Sequence, residues 1–421
     1  MQTHLSDFIK HTPEGEEADA ILRSCVHCGF CLATCPTYQL LGDELDSPRG
    51  RIYLMKQVLE GQPPTQKTQL HLDRCLTCRA CETTCPSSVR YSRLLDISRG
   101  VVHKNVTRSM RENGMRYLLT KTLPNRYLFK SLFKIGQFCR PLLPAKLKKS
   151  IPPKIQNTRK WPVKGHQRTM LVLDGCVQPE FSPNINIAAA HVLDKLGISL
   201  IKAEQAGCCG ALAYHLDAQQ DGVNHMRRNI DAWWSFINEQ KSTQPIEAIV
   251  ITASGCGVTV KEYGHLLRHD PVYAKKAAQI SALTKDISEI LTAEANNLTA
   301  LLEKSAPSNK IKLAFHSPCT LQHGMQIRGV VEKILDKAGF TLCFVKDAHL
   351  CCGSAGTYSI LQPNLSQQLL KEKIISLTAE KPDQLVTANI GCLMHLQKGT
   401  SLPVNHWIEI LDVILSGDSL K

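Results

Sequence analysis

The chain contains no apolar run approaching the roughly 18 residues that a membrane-spanning helix needs, so a spanning segment is not expected. Its first twenty residues, MQTHLSDFIKHTPEGEEADA, are acidic and lack the hydrophobic core of a secretory signal. The expectation is a cytoplasmic protein whose thiols stay reduced. There is no G-x-G-x-x-G fingerprint opening a helix, no Ser-His-Asp arrangement and no H-E-x-x-H signature. These absences argue against nicotinamide chemistry, serine hydrolysis and zinc proteolysis on this chain, and no residue is assigned a catalytic role. Acidic residues are scarce in one place: between Lys104 and Arg168, Glu112 alone faces seventeen Lys and Arg. That segment carries +16 against +13 for the whole chain, so the remainder is slightly acidic and a uniform nucleic-acid-binding surface is a poor reading.

Cysteine is abundant, with eighteen in 421 residues. In a large chain without a signal, metal or redox cofactors explain them better than disulfides do. Two clusters share one spacing. The first is Cys25-Val-His-Cys28-Gly-Phe-Cys31-Leu-Ala-Thr-Cys35-Pro36, and the second is Cys75-Leu-Thr-Cys78-Arg-Ala-Cys81-Glu-Thr-Thr-Cys85-Pro86. Both fit C-x₂-C-x₂-C-x₃-C-P, in which three thiolates surround one [4Fe-4S] cluster and the fourth reaches the other. Cys25, Cys28, Cys31 and Cys85 are therefore expected to bind cluster 1, and Cys75, Cys78, Cys81 and Cys35 cluster 2. Paired Cys₄ zinc sites are the alternative, but zinc rarely uses three cysteines at this spacing plus a fourth before proline. Gly29 suits a close backbone approach to the cluster, and His27 and Arg79 sit where a charge could tune potential. Between the motifs, Ser47-Pro48 starts a spacer helix with Ile52, Met55 and Leu59 on one face.

The C-terminal part repeats itself. Cys176 precedes Cys208 by the same interval as Cys319 precedes Cys351, and both spans end in Cys-Cys-Gly at 208–210 and 351–353. The later ITASGC (251–256) echoes VTANIGC (386–392). Each unit opens with a strand, TMLVLDGC at 169–176 or IKLAFHSPC at 311–319. Helices near 184–196 and 327–338, the strands ISLIKA and FTLCFV, and the strands AIVITA and QLVTA follow. Alternating strands and helices predict a parallel sheet with the cysteines gathered at its carboxyl edge. The fold class is thus α+β and multidomain: a helical two-[4Fe-4S] ferredoxin-type domain at 1–97, a basic helical linker at 98–168, and two α/β Cys-Cys-Gly repeats at 169–305 and 306–421.

A two-cluster module followed by two Cys-Cys-Gly repeats resembles the glycolate oxidase iron–sulfur subunit family. The resemblance covers nearly the whole chain and includes CVHCGFCLATCPTYQLLGDELDSPRGRIYLMKQVLEG, EQAGCCG, TASGCG, HLCCGSAGTYS, VTANIGC and HWIEI. It implies an electron-transfer subunit of a 2-hydroxy-acid oxidoreductase complex. Flavin-bearing partner subunits would oxidise glycolate to glyoxylate, with D-lactate as a second substrate class, and electrons would pass towards the respiratory quinone pool. With the missing signal core pointing to the cytoplasm, the basic segment between Lys104 and Arg168 suits a peripheral position on the inner face of the bacterial inner membrane. The alternatives are an iron–sulfur subunit of a lactate or glycerol-3-phosphate dehydrogenase complex and, in another class, a zinc-bearing nucleic-acid binder.

Related heterodisulfide reductase repeats end in C-x₂-C, whereas here Thr259 follows Cys256-Gly-Val and His395 follows Cys392-Leu-Met. Cys176, Cys208, Cys209 and Cys256 remain in one repeat, and Cys319, Cys351, Cys352 and Cys392 in the other. These eight, with His395, are candidates for a further metal or cluster. The competing reading is inert thiols at tight glycine turns, and Cys139 and Cys343 are read as plain core thiols. Finally, Arg126, Lys130 and Lys134 recur at helical spacing, with Lys146, Lys148, Lys149 and Lys154 close behind. Leu128, Phe129, Leu132, Phe133 and Ile135 fall on other faces, which suits an anionic membrane surface or an acidic partner.

Overall fold

The computed structural model describes residues 1–142, 144, 148, 151, 159–238, 245–305 and 311–418. Lys146, Lys149, Lys154 and the Pro152-Pro153 pair lie outside the described residues.

Helices build the N-terminal module. Ser47 caps the helix Pro48–Leu59 by accepting from the Gly50 amide, and Pro48 occupies the first turn, where its missing N–H costs nothing. Ile52, Met55 and Leu59 are buried as their spacing predicts. They meet Ile21 and Leu22 of the helix Pro13–Ser24, and Leu94 and Leu95 of the helix Tyr91–Asn105, in one core. Truncating a buried leucine such as Leu59 to alanine would cost about 2–5 kcal/mol. The helix Tyr91–Asn105 runs without a break through residue 97. The helices Met110–Thr122 and Arg126–Cys139 continue the chain into the basic segment.

Two four-stranded sheets follow. In the first, β1 (Arg168–Val172), β2 (Ile198–Lys202), β3 (Ile246–Ile251) and β4 (Thr284–Asp286) lie in the order β2-β1-β3-β4, all parallel. In the second, β5 (Lys312–His316), β6 (Thr341–Leu342), β7 (Gln384–Thr387) and β8 (Val404–His406) repeat that order and direction. β4 and β8 are too short and too polar for hydrophobic periodicity to reveal, and β6 shrinks to two residues where a longer strand was expected. The sheets share one core, in which Val172, Ile185 and Leu193 pack with Leu313, Leu335 and Trp407. His406 Nε2 lies 2.9 Å from the Thr252 carbonyl oxygen, and the Ser254 amide donates to Ala388 O at 3.3 Å. The first turns of the helices Ser254–Lys261 and Ile390–Leu396, which carry Cys256 and Cys392, therefore lie close together.

Candidate metal centres

Cysteines of both motifs meet at two small cavities in the N-terminal module. Cys25, Cys28, Cys31 and Cys85 line one of about 30 Å³, together with Cys81. Cys35, Cys75, Cys78 and Cys81 line another of about 20 Å³. Burial raises the Cys25 thiol, and Cys85 and Cys28 add to the shift. Burial, and then Cys25, pushes Cys31 up to about 11. Cys81 is raised well above its ordinary value by burial, with Cys78, Cys75 and Cys35 contributing. Such crowding is costly for thiolates without a counter-ion, while binding to cationic iron relieves it. The residues present therefore fit two iron–sulfur clusters.

The loops reach this geometry through left-handed residues in matched positions. His27 and Thr77 both have φ of 54°, while Gly29 and Arg79 have 85° and 62°. Glycine adopts that conformation freely, and a side chain does so at a cost. His27 Nε2 lies 3.2 Å from the Met1 sulfur, and Arg79 pairs with Glu262 of the first sheet domain.

Around Cys35 and Cys75 stand donors that spacing alone does not reveal. Arg51 is buried, paired with Asp46 at 3.1 Å, and its Nη1 lies 4.0 Å from Cys35 Sγ. Tyr91 Oη lies 3.7 Å from Cys75 Sγ, and the Thr77 amide nitrogen 3.4 Å from it. The only signal in the sequence is an arginine inside an otherwise apolar helical face, at Arg51. Asp46 also meets His71 and Arg74, so the carboxylate cluster there is neutralised by cations and reads as structural.

In each repeat the four cysteines form a chain of touching thiols. All four are free thiols, and hydrogen bonds couple Cys176 to Cys208, Cys208 to Cys209, and Cys209 to Cys256. The hydrogen bonds from Cys176 and Cys209 hold the Cys208 thiol well below its ordinary value. In the second repeat, Cys319 Sγ lies 4.0 Å from Cys351 Sγ, and the chain continues through Cys352 to Cys392. The glycine closing each Cys-Cys-Gly is obligatory. Gly210 and Gly353 have φ of 92° and 87°, and a Cβ there would sit 2.5 Å from Gly222 O and 2.6 Å from Ser366 O.

His395 lines the same cavity as Cys319, Cys351 and Cys392, with its Nε2 3.2 Å from Ser366 Oγ. His316, absent from the expected set, joins Cys352 and Cys392. One donor atom each from His316, Cys352 and Cys392 lie within 4.8 Å of one another. Burial, with Lys373 nearby, pushes the His316 imidazole down to about 3, so it is neutral. A signal existed, since His316 stands three residues before Cys319, where the first repeat has Leu173 before Cys176. Cys343 packs in the shared core, and Cys139 ends the helix Arg126–Cys139 half-buried.

A cavity of about 400 Å³ joins these centres. Cys75 and Cys78 line it from the module, Cys176, Cys208, Cys209 and Cys256 from the first repeat, and Cys319, Cys351 and Cys392 from the second. Cys78 also packs with Cys319 and Cys351 around Leu76 and Tyr358. On the outer surface, Phe129 and Phe133 turn inward onto Phe181. Tyr127, Leu132, Ile135, Phe138, Lys130 and Lys134 remain exposed. Among the described residues no helix is long and apolar enough to cross a membrane.

Comparison with known proteins agrees with this geometry. The 4Fe-4S dicluster domain family matches residues 21–89, and the cysteine-rich CCG domain family matches 170–261 and 313–397. The chain is 52% identical over 415 residues to the glycolate oxidase iron-sulfur subunit of Escherichia coli, covering 99% of both chains. It is 30% identical over 435 residues to the probable glycolate oxidase iron-sulfur subunit of Bacillus subtilis, covering 95% of this chain and 92% of the relative. Lactate utilization protein A of Bacillus licheniformis matches at 27% over 245 residues, which is 56% of this chain and 96% of that protein.

Proposed function

Because the chain belongs to the glycolate oxidase iron–sulfur subunit family, we propose that it is the electron-transfer subunit of a glycolate-oxidising complex. It takes electrons from a flavin-bearing partner that converts glycolate to glyoxylate and passes them towards the quinone pool. The observation that carries this reading is the pair of cysteine-lined cavities, in each of which the first three cysteines of one motif meet the fourth of the other, with Cys81 reaching the first as well. Cys25, Cys28, Cys31 and Cys85 would hold one [4Fe-4S] cluster, and Cys75, Cys78, Cys81 and Cys35 the second. A bound cluster supplies one-electron exchange without making or breaking a bond to substrate.

The protein's own residues set the conditions for that exchange. Arg51, Tyr91 and the Thr77 amide present positive charge and donors to Cys35 and Cys75, which stabilises added negative charge. The arginine at the first loop is Arg49, which lies beside Gly29 and Cys31 but is partly exposed, so solvent screens its charge. We infer that the second site has the higher potential and that electrons leave from it, where Cys78 meets the second repeat. The exposed Lys130 and Lys134, beside Leu132 and Ile135, suit contact with an anionic lipid surface, which would hold the complex peripherally on a membrane.

Anaerobic purification with iron analysis tests the cluster assignment. About eight irons are expected from the module, and about four, with all its cysteines intact, would refute the two-cluster reading. Isolation of the native complex, assayed on glycolate and on D-lactate, tests the substrate. Turnover of D-lactate alone would favour the lactate-dehydrogenase alternative.

A further inference from the structure

The two centres of the N-terminal module differ in what covers them. Cys28 is the one exposed cysteine of the eighteen. Val26 and Phe30, 66% and 64% exposed, line the first cavity beside it. The second cavity faces inward instead. Cys78 packs with Cys319 and Cys351, and Arg79 next to it is held by Glu262 of the first sheet domain. An electron arriving from another protein therefore meets the first centre first, and it does so through apolar side chains that water solvates poorly.

We propose that Val26, Cys28, Phe30 and Arg49 form the docking face for the flavin-bearing partner subunit, and that electrons enter the chain there. The proposal rests on the reading of this chain as an electron-transfer subunit. It gives the two centres an order, with entry where Cys28 is exposed and exit where Cys78 meets the second repeat. Electrons alone cross the face. The partner's reduced flavin is oxidised in two single-electron steps, and its protons leave on the partner's side. The first centre is reduced by one electron at a time and is re-oxidised by the second, with no bond made or broken between the proteins.

Charge complementarity selects the kind of partner surface. Arg49 is the one permanently charged side chain lining the first cavity, and among the described residues no carboxylate lines it. The Arg49 Nε donates to Glu44 at 2.8 Å, while its Nη1 turns to Gly29, where an added Cβ would stand 3.0 Å from it. A complementary face brings a carboxylate to that nitrogen and apolar side chains to Val26 and Phe30. Tyr53, one turn beyond Arg49 on the helix Pro48–Leu59, is 51% exposed and adds an aromatic ring to the rim. Aromatic residues and arginine are the anchors that protein interfaces favour. The other broad exposed apolar face, on the helix Arg126–Cys139, is striped with lysines and carries no cysteine of either motif, which suits lipid rather than an electron donor.

The test uses the assembled complex, purified anaerobically with its partner subunits. Phe30→Asp and Val26→Asp set a charge against an apolar partner face, and Phe344→Asp does so at an exposed phenylalanine of the second repeat. Iron content and reduction by dithionite report whether each variant keeps both clusters. Phe30→Asp and Val26→Asp should weaken retention of the flavin subunit about 10–100-fold. Where the complex still holds together, they should slow cluster reduction by glycolate by a similar factor and leave reduction by dithionite unchanged. Phe344→Asp should do neither. If the loop variants lose iron, Tyr53→Asp, outside the cysteine loops, decides by the same two readouts. Wild-type retention and wild-type reduction by glycolate in variants with both clusters intact, or losses confined to Phe344→Asp, would overturn the docking face. A wild-type complex that dithionite reduces but neither glycolate nor D-lactate does would sink the electron-transfer reading itself, and the face with it.

Discussion

Glu262 of the first sheet domain grips both ends of the Arg79 guanidinium, one contact at 2.9 Å and the other shorter. Arg79 follows Cys78 directly and holds the left-handed conformation that Gly29 holds in the first loop. An ion pair thus pins a strained residue of the second cysteine loop to the domain that shares the large cavity. The same interface carries Glu17, which meets Arg93 at 2.9 Å, Arg268 at 2.9 Å and His265 at 2.8 Å.

Glu262→Gln should lower stability by about 1–3 kcal/mol, since it removes the counter-charge of a largely buried guanidinium. Arg79→Gly loses the same pair and relieves the left-handed strain, whereas Arg79→Ala loses the pair and keeps the strain. The alanine variant should therefore unfold more easily, by up to about 1 kcal/mol. Denaturant midpoints of the anaerobic proteins measure this. Equal midpoints for Ala and Gly would show that the left-handed backbone stores no strain.

Cys35→Ser should damage the centre completed by Cys75, Cys78 and Cys81, and Cys85→Ser the one completed by Cys25, Cys28 and Cys31. Electron paramagnetic resonance of the two reduced variants distinguishes the centres. If each substitution removed the signal of its own sequence-local motif, the crossed assignment would be wrong.

Stability should depend on pH through Glu409, which burial and the neighbouring Asp412 raise from 4.5 to about 7. The folded chain keeps this proton to higher pH than the unfolded chain does. The contribution is therefore most favourable below 4.5 and is lost as pH rises to about 7, by about 3 kcal/mol in all. Glu409→Gln keeps an acceptor for the His406 amide, which Glu409 Oε2 meets at 3.2 Å. The variant should flatten the decline between pH 5 and 7, and unfolding curves that stay parallel to the wild type would contradict this.

Lys130→Gln with Lys134→Gln should weaken binding to vesicles containing anionic lipid by about 2 kcal/mol, at about 1 kcal/mol per residue near the surface. Binding by the wild type should fall as salt is raised. Flotation that ignores both changes would mean that the exposed Ile135 and Phe138 face a protein partner instead.

Local signals were strong where the chain itself repeats. The two C-x₂-C-x₂-C-x₃-C-P motifs, the spacer helix over Ile52, Met55 and Leu59, and both Cys-Cys-Gly units were legible because each depends on spacing within a few residues. β4 and β8 were not, because three-residue strands draw their stability from neighbours rather than from their own periodicity. Within the helix Arg126–Cys139, spacing alone sets the five apolar residues largely apart from the lysines. The fold instead sends Phe129 and Phe133 inward to Phe181 and leaves Leu128, Leu132 and Ile135 outside.

The sequence by itself determined the donor chemistry: which thiols exist, how they are spaced, and that a glycine must follow each cysteine pair where a Cβ would strike backbone. Only the tertiary structure decided which donors meet. His395 is the histidine that the sequence singles out, yet parallel pairing sets His316 beside Thr387 and in reach of Cys352 and Cys392, while His395 Nε2 meets Ser366. Arg51 and Tyr91 acquire their place at Cys35 and Cys75 in the same way, through helices that pack from distant parts of the chain. Spacing governs contacts within one turn or loop, whereas contacts between elements are chosen by the burial of whole faces.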